Sequence, residues 1–195
     1  LEPMAEHMSQ GVKIHDWPTD KIGWINQTPD GKLVSLYPVV TPLLVTPLYL
    51  PAYLYLEKTG WEYGRVDEVA RIMEKLSASF VASLSTMLLF LVLRRQCSWR
   101  MATALALVFA FGTSTWVISS QALWMHGVAQ LLIVWALWLV TDERCNAKRA
   151  ASLGLACALI ACNRQPDALL AAGFAAYALV WARGYLPAFI AGTLP

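Results

Sequence analysis

The sequence predicts an all-α protein, a polytopic transmembrane helix bundle preceded by an outward loop region with short interfacial helices. Three observations lead there. Of the 195 residues, 57% are hydrophobic and only 14% are charged, whereas soluble domains run near one quarter charged. The mean hydropathy is +0.49. The apolar residues also fall in long charge-free runs of bilayer length. An ordinary water-soluble domain is excluded. Lys and Arg number 15 against 13 Asp and Glu, a net charge of +2. No basic cluster is interleaved with stacking aromatics, so nucleic acid is not an expected partner. The 4 cysteines show no zinc or disulfide spacing, since Cys97 and Cys145 fall in basic loops and Cys157 and Cys162 in an apolar helix.

Residues 1–76 read as the extracytoplasmic loop region and residues 77–195 as the bundle. Residues 1–32 are polar and turn-rich, with Trp17-Pro18 and Pro29-Asp-Gly31, and predict a solvated loop. Residues 33–56 are charge-free, but Pro38, Pro42, Pro47 and Pro51 each remove a backbone donor. A re-entrant or interfacial segment is therefore expected there rather than a regular transmembrane helix. Over residues 65–77, Val66, Val69, Ala70, Met73 and Leu76 share one face, with Asp67 and Arg71 paired one turn apart on another. This short amphipathic helix runs into residues 77–93, the first complete crossing, which ends at Arg94-Arg95.

Residues 101–141 contain no charged side chain and are about twice the length of one span, so the chain must turn within them. The polar patch at 113–121 is the expected turn, giving crossings at 101–117 and 123–140. After the charged loop 142–149, apolar segments 150–162 and 168–181 flank Asn163-Arg-Gln-Pro-Asp167 and predict a further helical hairpin. The total is about five crossings plus the start of another apolar segment. The chain begins without an initiator Met or signal peptide and stops inside that segment, which reads as a fragment of a longer protein.

Loop charges orient the bundle. Arg94, Arg95 and Arg100, then Arg144, Lys148 and Arg149, then Arg183 fall in three loops on one side, against only Arg164 in the opposing turns. The positive-inside rule makes the first side cytoplasmic. Trp116 and Trp124 then sit near the outer interface, Trp99 and Trp181 near the inner one.

Candidate chemistry gathers on the outward side. Glu2, Glu6, Asp16, Asp20 and Asp30 are carboxylates of the type that deprotonates an acceptor hydroxyl, or else solvated loop residues. Gly112-Thr-Ser-Thr-Trp116, Ser119, Ser120, Gln121 and His126 place hydroxyls, an amide and an imidazole at the outer ends of two helices. Hydroxyls there also serve simply to bond helix carbonyls and bridge helices. Arg164 is the informative charge, because it stands against the orientation bias. Its guanidinium suits a lipid-linked phosphate, and pairing with Asp167 is the alternative. A divalent metal is compatible with His126 and an outer carboxylate as ligand types, although one histidine gives no ligand set.

The order of these pieces resembles the C-type (GT-C) membrane glycosyltransferases, in the branch holding protein O-mannosyltransferases and aminoarabinose-lipid A transferases. The matching strings are Asp30-Gly-Lys-Leu-Val-Ser-Leu-Tyr-Pro38 with Pro42-Leu-Leu-Val-Thr-Pro47, then Val69-Ala-Arg71, then Gly112-Thr-Ser-Thr-Trp116 through His126-Gly127, then Ala161-Cys-Asn-Arg-Gln-Pro166. The resemblance implies a polyprenyl-phosphate-linked sugar as donor and a lipid, glycan or protein as acceptor. It also implies a catalytic acid residue early in the first outward loop. Glu2 stands where the family has an Asp-Glu pair, with Leu1 in place of the Asp. The expected activity is sugar transfer to an acceptor hydroxyl, with Glu2, Asp16, Asp20 or Asp30 as base and Gln121, His126 and Arg164 binding substrate. A transporter or flippase for an anionic or lipid-linked substrate is the alternative, and a non-catalytic membrane scaffold a third.

Overall fold

In the computed structural model, the described residues are 25–27, 33–35, 37–142 and 144–194. Apart from one short ribbon they are helical. Strands β1 (Ile25–Gln27) and β2 (Leu33–Ser35) pair antiparallel with Ile25 opposite Ser35 and Gln27 opposite Leu33. The sequence predicts only loop up to residue 32. Two short runs with β-branched residues on either side of Pro29-Asp-Gly31 carry the hairpin signal that the surrounding polarity masks.

Helix α1 (Val40–Thr59) corrects the expectation of broken backbone in the proline segment, because its 20 residues form continuous α-helix with Pro47 and Pro51 inside it; it is not among the helices long and apolar enough to cross a membrane. The helical wheel gives the reason. Thr41, Val45, Ala52 and Leu56 form the buried stripe, and the two prolines project from the opposite, exposed face. Their rings fall on exposed positions away from that stripe, although Val40 in the first turn is buried on their own side. Pro42 lies in the first turn, where a missing N–H costs no helix bond. Gly60, at φ 94°, adopts a conformation that favours glycine and stops the helix.

Helix α2 (Tyr63–Gln96) is a single helix of 34 residues that merges the amphipathic segment with the segment expected as the first crossing. Asp67 and Arg71 form the expected ion pair at 3.0 Å on its exposed face. Residues Gly64–Gln96 are long and apolar enough to cross a membrane. The chain divides into units Leu1–Glu74 and Lys75–Pro195, with the boundary inside α2.

In the second unit α2 is followed by α3 (Trp99–Gly112), a π-helical turn (Thr115–Ser119), α4 (Met125–Val140), α5 (Ala147–Asn163), α6 (Ala168–Trp181) and α7 (Leu186–Thr193). Helix α3 is shorter than predicted. Thr113 turns extended at φ −121° and ends it. Helices α3 and α4 have 14 and 16 residues, about 21 and 24 Å at 1.5 Å per residue, short of a full hydrocarbon core. Helix α6 and the segment from Arg183 to Thr193 reach spanning length only as a pair, bent by 99°.

Helix α5 is the centre of this unit, with Leu153, Ala156 and Ile160 fully buried. Its N-cap is Asn146, whose Oδ1 accepts from the Arg149 amide. Helix α7 lies on it at backbone contact. A Cβ on Gly154 would stand 2.1 Å from the Phe189 carbonyl oxygen, and one on Gly192 2.0 Å from that of Ala151. Small residues here allow two helices to touch without intervening side chains.

Candidate functional site

Helix α4 has two differently built ends, about 24 Å apart. At its start, Asn163 closes α5 with its side chain fully buried, and its Nδ2 donates to the Met125 carbonyl at 2.9 Å. The two residues that follow these partners are Arg164 and His126. One hydrogen bond thus brings a guanidinium and an imidazole to the same end of the bundle. His126 is exposed and its ring stacks on Trp124 at 6.5 Å.

Arg164 is 26% exposed and its Nη1 lies 3.4 Å from Asp167 Oδ2 and 3.5 Å from Oδ1. The pairing that the sequence offers as an alternative is therefore present. Pro166 and the 3-10 turn Gln165–Asp167 fold Asp167 back onto Arg164.

The π-helical turn supplies the rest of this end. Ser79 of α2 donates to the Ser120 carbonyl at 3.1 Å, and Gln121 Nε2 donates to Ser120 Oγ at 3.1 Å. Ser120 Oγ in turn donates to the Trp116 carbonyl at 2.6 Å. Behind it Gln130 Nε2 donates to Thr115 Oγ1 at 2.7 Å, Thr115 meets Thr113 Oγ1 at 2.9 Å, and Thr113 donates to the Phe109 carbonyl at 2.6 Å. The hydroxyls at 113, 115 and 120 are thus engaged in helix and interhelix bonds. Gln130 Oε1 is buried and accepts nothing. A cavity of about 390 Å³ opens between α2, α3 and this turn, lined mainly by apolar side chains with Ser79, Ser83, Thr86 and Thr115 among them. Gly127 faces the Ser119 backbone, where a Cβ would find ordinary contact at 3.5 Å.

At the other end of α4, Arg95 Nη1 donates to the Trp138 carbonyl at 2.5 Å and to Thr141 Oγ1 at 3.0 Å. Asp142 pairs with both Arg95, at 3.5 Å, and Arg149. The Arg144 amide, at 3.0 Å, and then the Arg149 guanidinium hold the Asp142 carboxyl below its ordinary value. Trp181 Nε1 donates to the Asp142 carbonyl at 3.1 Å, which ties the end of α6 to the same corner.

The structure therefore places Gln121, His126 and Arg164 at one end of the second unit. Glu2, Asp16, Asp20 and Asp30 lie outside the described residues. Among the described residues, no three His, Cys, Asp or Glu side chains gather to hold a metal ion. Sequence reasoning missed Asn163 and Gln130. Both are amides inside charge-free stretches, where a polar side chain is costly enough to be a signal. No protein-family model, curated protein or solved structure matches the chain.

Proposed function

We propose that the protein is a multi-pass membrane glycosyltransferase that moves a sugar from a polyprenyl-phosphate donor to an acceptor hydroxyl at the extracytoplasmic face. The observation that supports this reading is Arg164. It is a part-buried guanidinium held by a single long ion pair, at the same end of the second unit as His126 and Gln121, in the turn between α5 and α6. In this reading α2 to α6 cross the membrane in alternating directions. The corner of Arg95, Asp142 and Arg149 faces the cytoplasm, and the Arg164 end faces out.

Arg164 leaves Asp167 for the donor phosphate and takes up the charge that develops there as the sugar departs. A carboxylate from residues 1–32 accepts the proton of the incoming hydroxyl. Gln121 and His126 line the approach. The phosphate is already a good leaving group, so positioning supplies much of the acceleration.

Membranes carrying the protein are incubated with a radiolabelled polyprenyl-phosphate sugar, and lipid, glycan and protein fractions are counted. Wild type transfers label, whereas Arg164→Ala and Glu2→Gln lose transfer. A second reading, a transporter or flippase, draws on the 99° break between α6 and the segment from Arg183 to Thr193, since broken helices line substrate paths in transporters. Vesicle flux of the labelled donor without transfer to any acceptor would establish that second reading and sink the first.

A further inference from the structure

The corner opposite Arg164 takes no part in the proposed transfer, and among its described residues cations outnumber carboxylates. Two guanidinium groups, Arg95 and Arg149, share the single carboxylate of Asp142, and the three side chains are only 26%, 26% and 22% exposed. Among the described residues the corner therefore carries two guanidinium groups to one carboxylate, a local excess of positive charge that attracts an anion.

The cations are also held in place before any ligand arrives. The Arg95 and Arg149 guanidinium carbons lie 5.1 and 5.8 Å from the centre of the Trp138 ring. Arg95 is fixed further by the Trp138 carbonyl and the Thr141 hydroxyl. Planar forks fixed this way are suited to phosphate oxygens.

Position selects the source of the phosphate. Arg95 is in the last turn of α2, the helix whose Gly64–Gln96 stretch is long and apolar enough to cross a membrane. The cluster therefore sits where that helix leaves hydrocarbon. Trp99 beside it is 60% exposed, and Leu91 and Met101 on the adjoining turns expose apolar surface, as at an interface with lipid. A free anion would use none of that surface. We propose that Arg95 and Arg149 together bind the headgroup phosphate of an anionic phospholipid, whose acyl chains lie along α2 and α3.

The test uses the whole protein in detergent micelles. Phosphatidylglycerol, phosphatidylcholine and inorganic phosphate are added at matched concentrations, and retained lipid and thermal unfolding are measured. Phosphatidylglycerol is expected to be retained and to raise the unfolding temperature, with phosphatidylcholine and inorganic phosphate giving little. Arg149→Gln should weaken phosphatidylglycerol retention about fivefold, while Arg71→Gln, an exposed cation elsewhere on α2, leaves it unchanged. A phosphatidylglycerol carrying a photoreactive headgroup gives a measurement on wild type alone, with crosslinks expected in 94–101 and 138–149. Equal retention of the two lipids, equal stabilisation by inorganic phosphate, or crosslinks spread evenly over the chain would each overturn the assignment.

Discussion

The side-chain amide of Asn163 reaches the Met125 carbonyl at 2.9 Å and so ties the end of α5, where Arg164 follows, to the start of α4, where His126 follows. Asn163 has no exposed surface. Replacing it with Ala removes this interhelix hydrogen bond, a loss of about 1 kcal/mol. Thermal unfolding of Asn163→Ala should show it, and Asn163→Asp should not restore the wild-type value, because a carboxylate has no N–H to give. An unchanged unfolding temperature in Asn163→Ala would show that the bond holds nothing.

The contact of α7 with α5 predicts an asymmetry among glycines. Gly154→Ala and Gly192→Ala must each push two backbones apart, costing about 1–3 kcal/mol. Gly173→Ala meets open space and should change stability little. Unfolding midpoints of the three variants decide the matter.

Asp142 gives the protein a defined acid limit. Its folded-state pKa lies below the ordinary value, so its contribution is present above the unfolded carboxylate range, near pH 4. That contribution is lost as pH falls through the lower folded value. Asp142→Asn should remove that part of the acid limb in a pH series of unfolding midpoints. A variant whose acid limb matches wild type would refute the assignment.

Native cysteines report sidedness. Cys97 and Cys145 belong to the Arg95 end, and Cys162, which is exposed, adjoins Arg164. In the proposed topology a membrane-impermeant maleimide applied to intact cells labels Cys162 and spares Cys97 and Cys145 until the membrane is opened. The reverse pattern would turn the bundle over and remove the outward site.

Asp167 competes with the donor for Arg164. Asp167→Asn is expected to lower the KM for a polyprenyl-phosphate sugar roughly threefold, the range of a part-exposed ion pair, with kcat nearly unchanged. Arg164→Lys keeps the charge but loses the fork, and should raise KM. Parallel behaviour of the two variants would argue that Arg164 meets no phosphate.

Much of this architecture is written in local signals. Residues 168–181, bounded by Pro166 and Asp167 before and Arg183 after, form the helix Ala168–Trp181 as the sequence predicts. The turn at 113–121 is present as well, as a π-helical segment. What was illegible depended on tertiary placement. The prolines of 33–56 were weighed as helix breakers, yet only packing reveals that Pro47 and Pro51 point away from the buried stripe of α1. Arg164 was legible as a charge between two apolar segments, and its pairing with Asp167 as one of two readings. Its neighbour Asn163 was not, because its partner Met125 lies far along the chain and offers only a backbone carbonyl. The carboxylates of residues 1–32 were read from composition alone, and no bond on the page orients them.

The proline face of α1 has an effect that side-chain polarity would not suggest. Its residues are largely apolar around the whole circumference, but the carbonyls of Leu43 and Pro47 face positions 47 and 51, which have no amide hydrogen to give. Fully immersed in oil, those oxygens would go thirsty on one side. The rod is consequently two-faced through its main chain, and against any oily surface that thirsty edge would turn toward moisture.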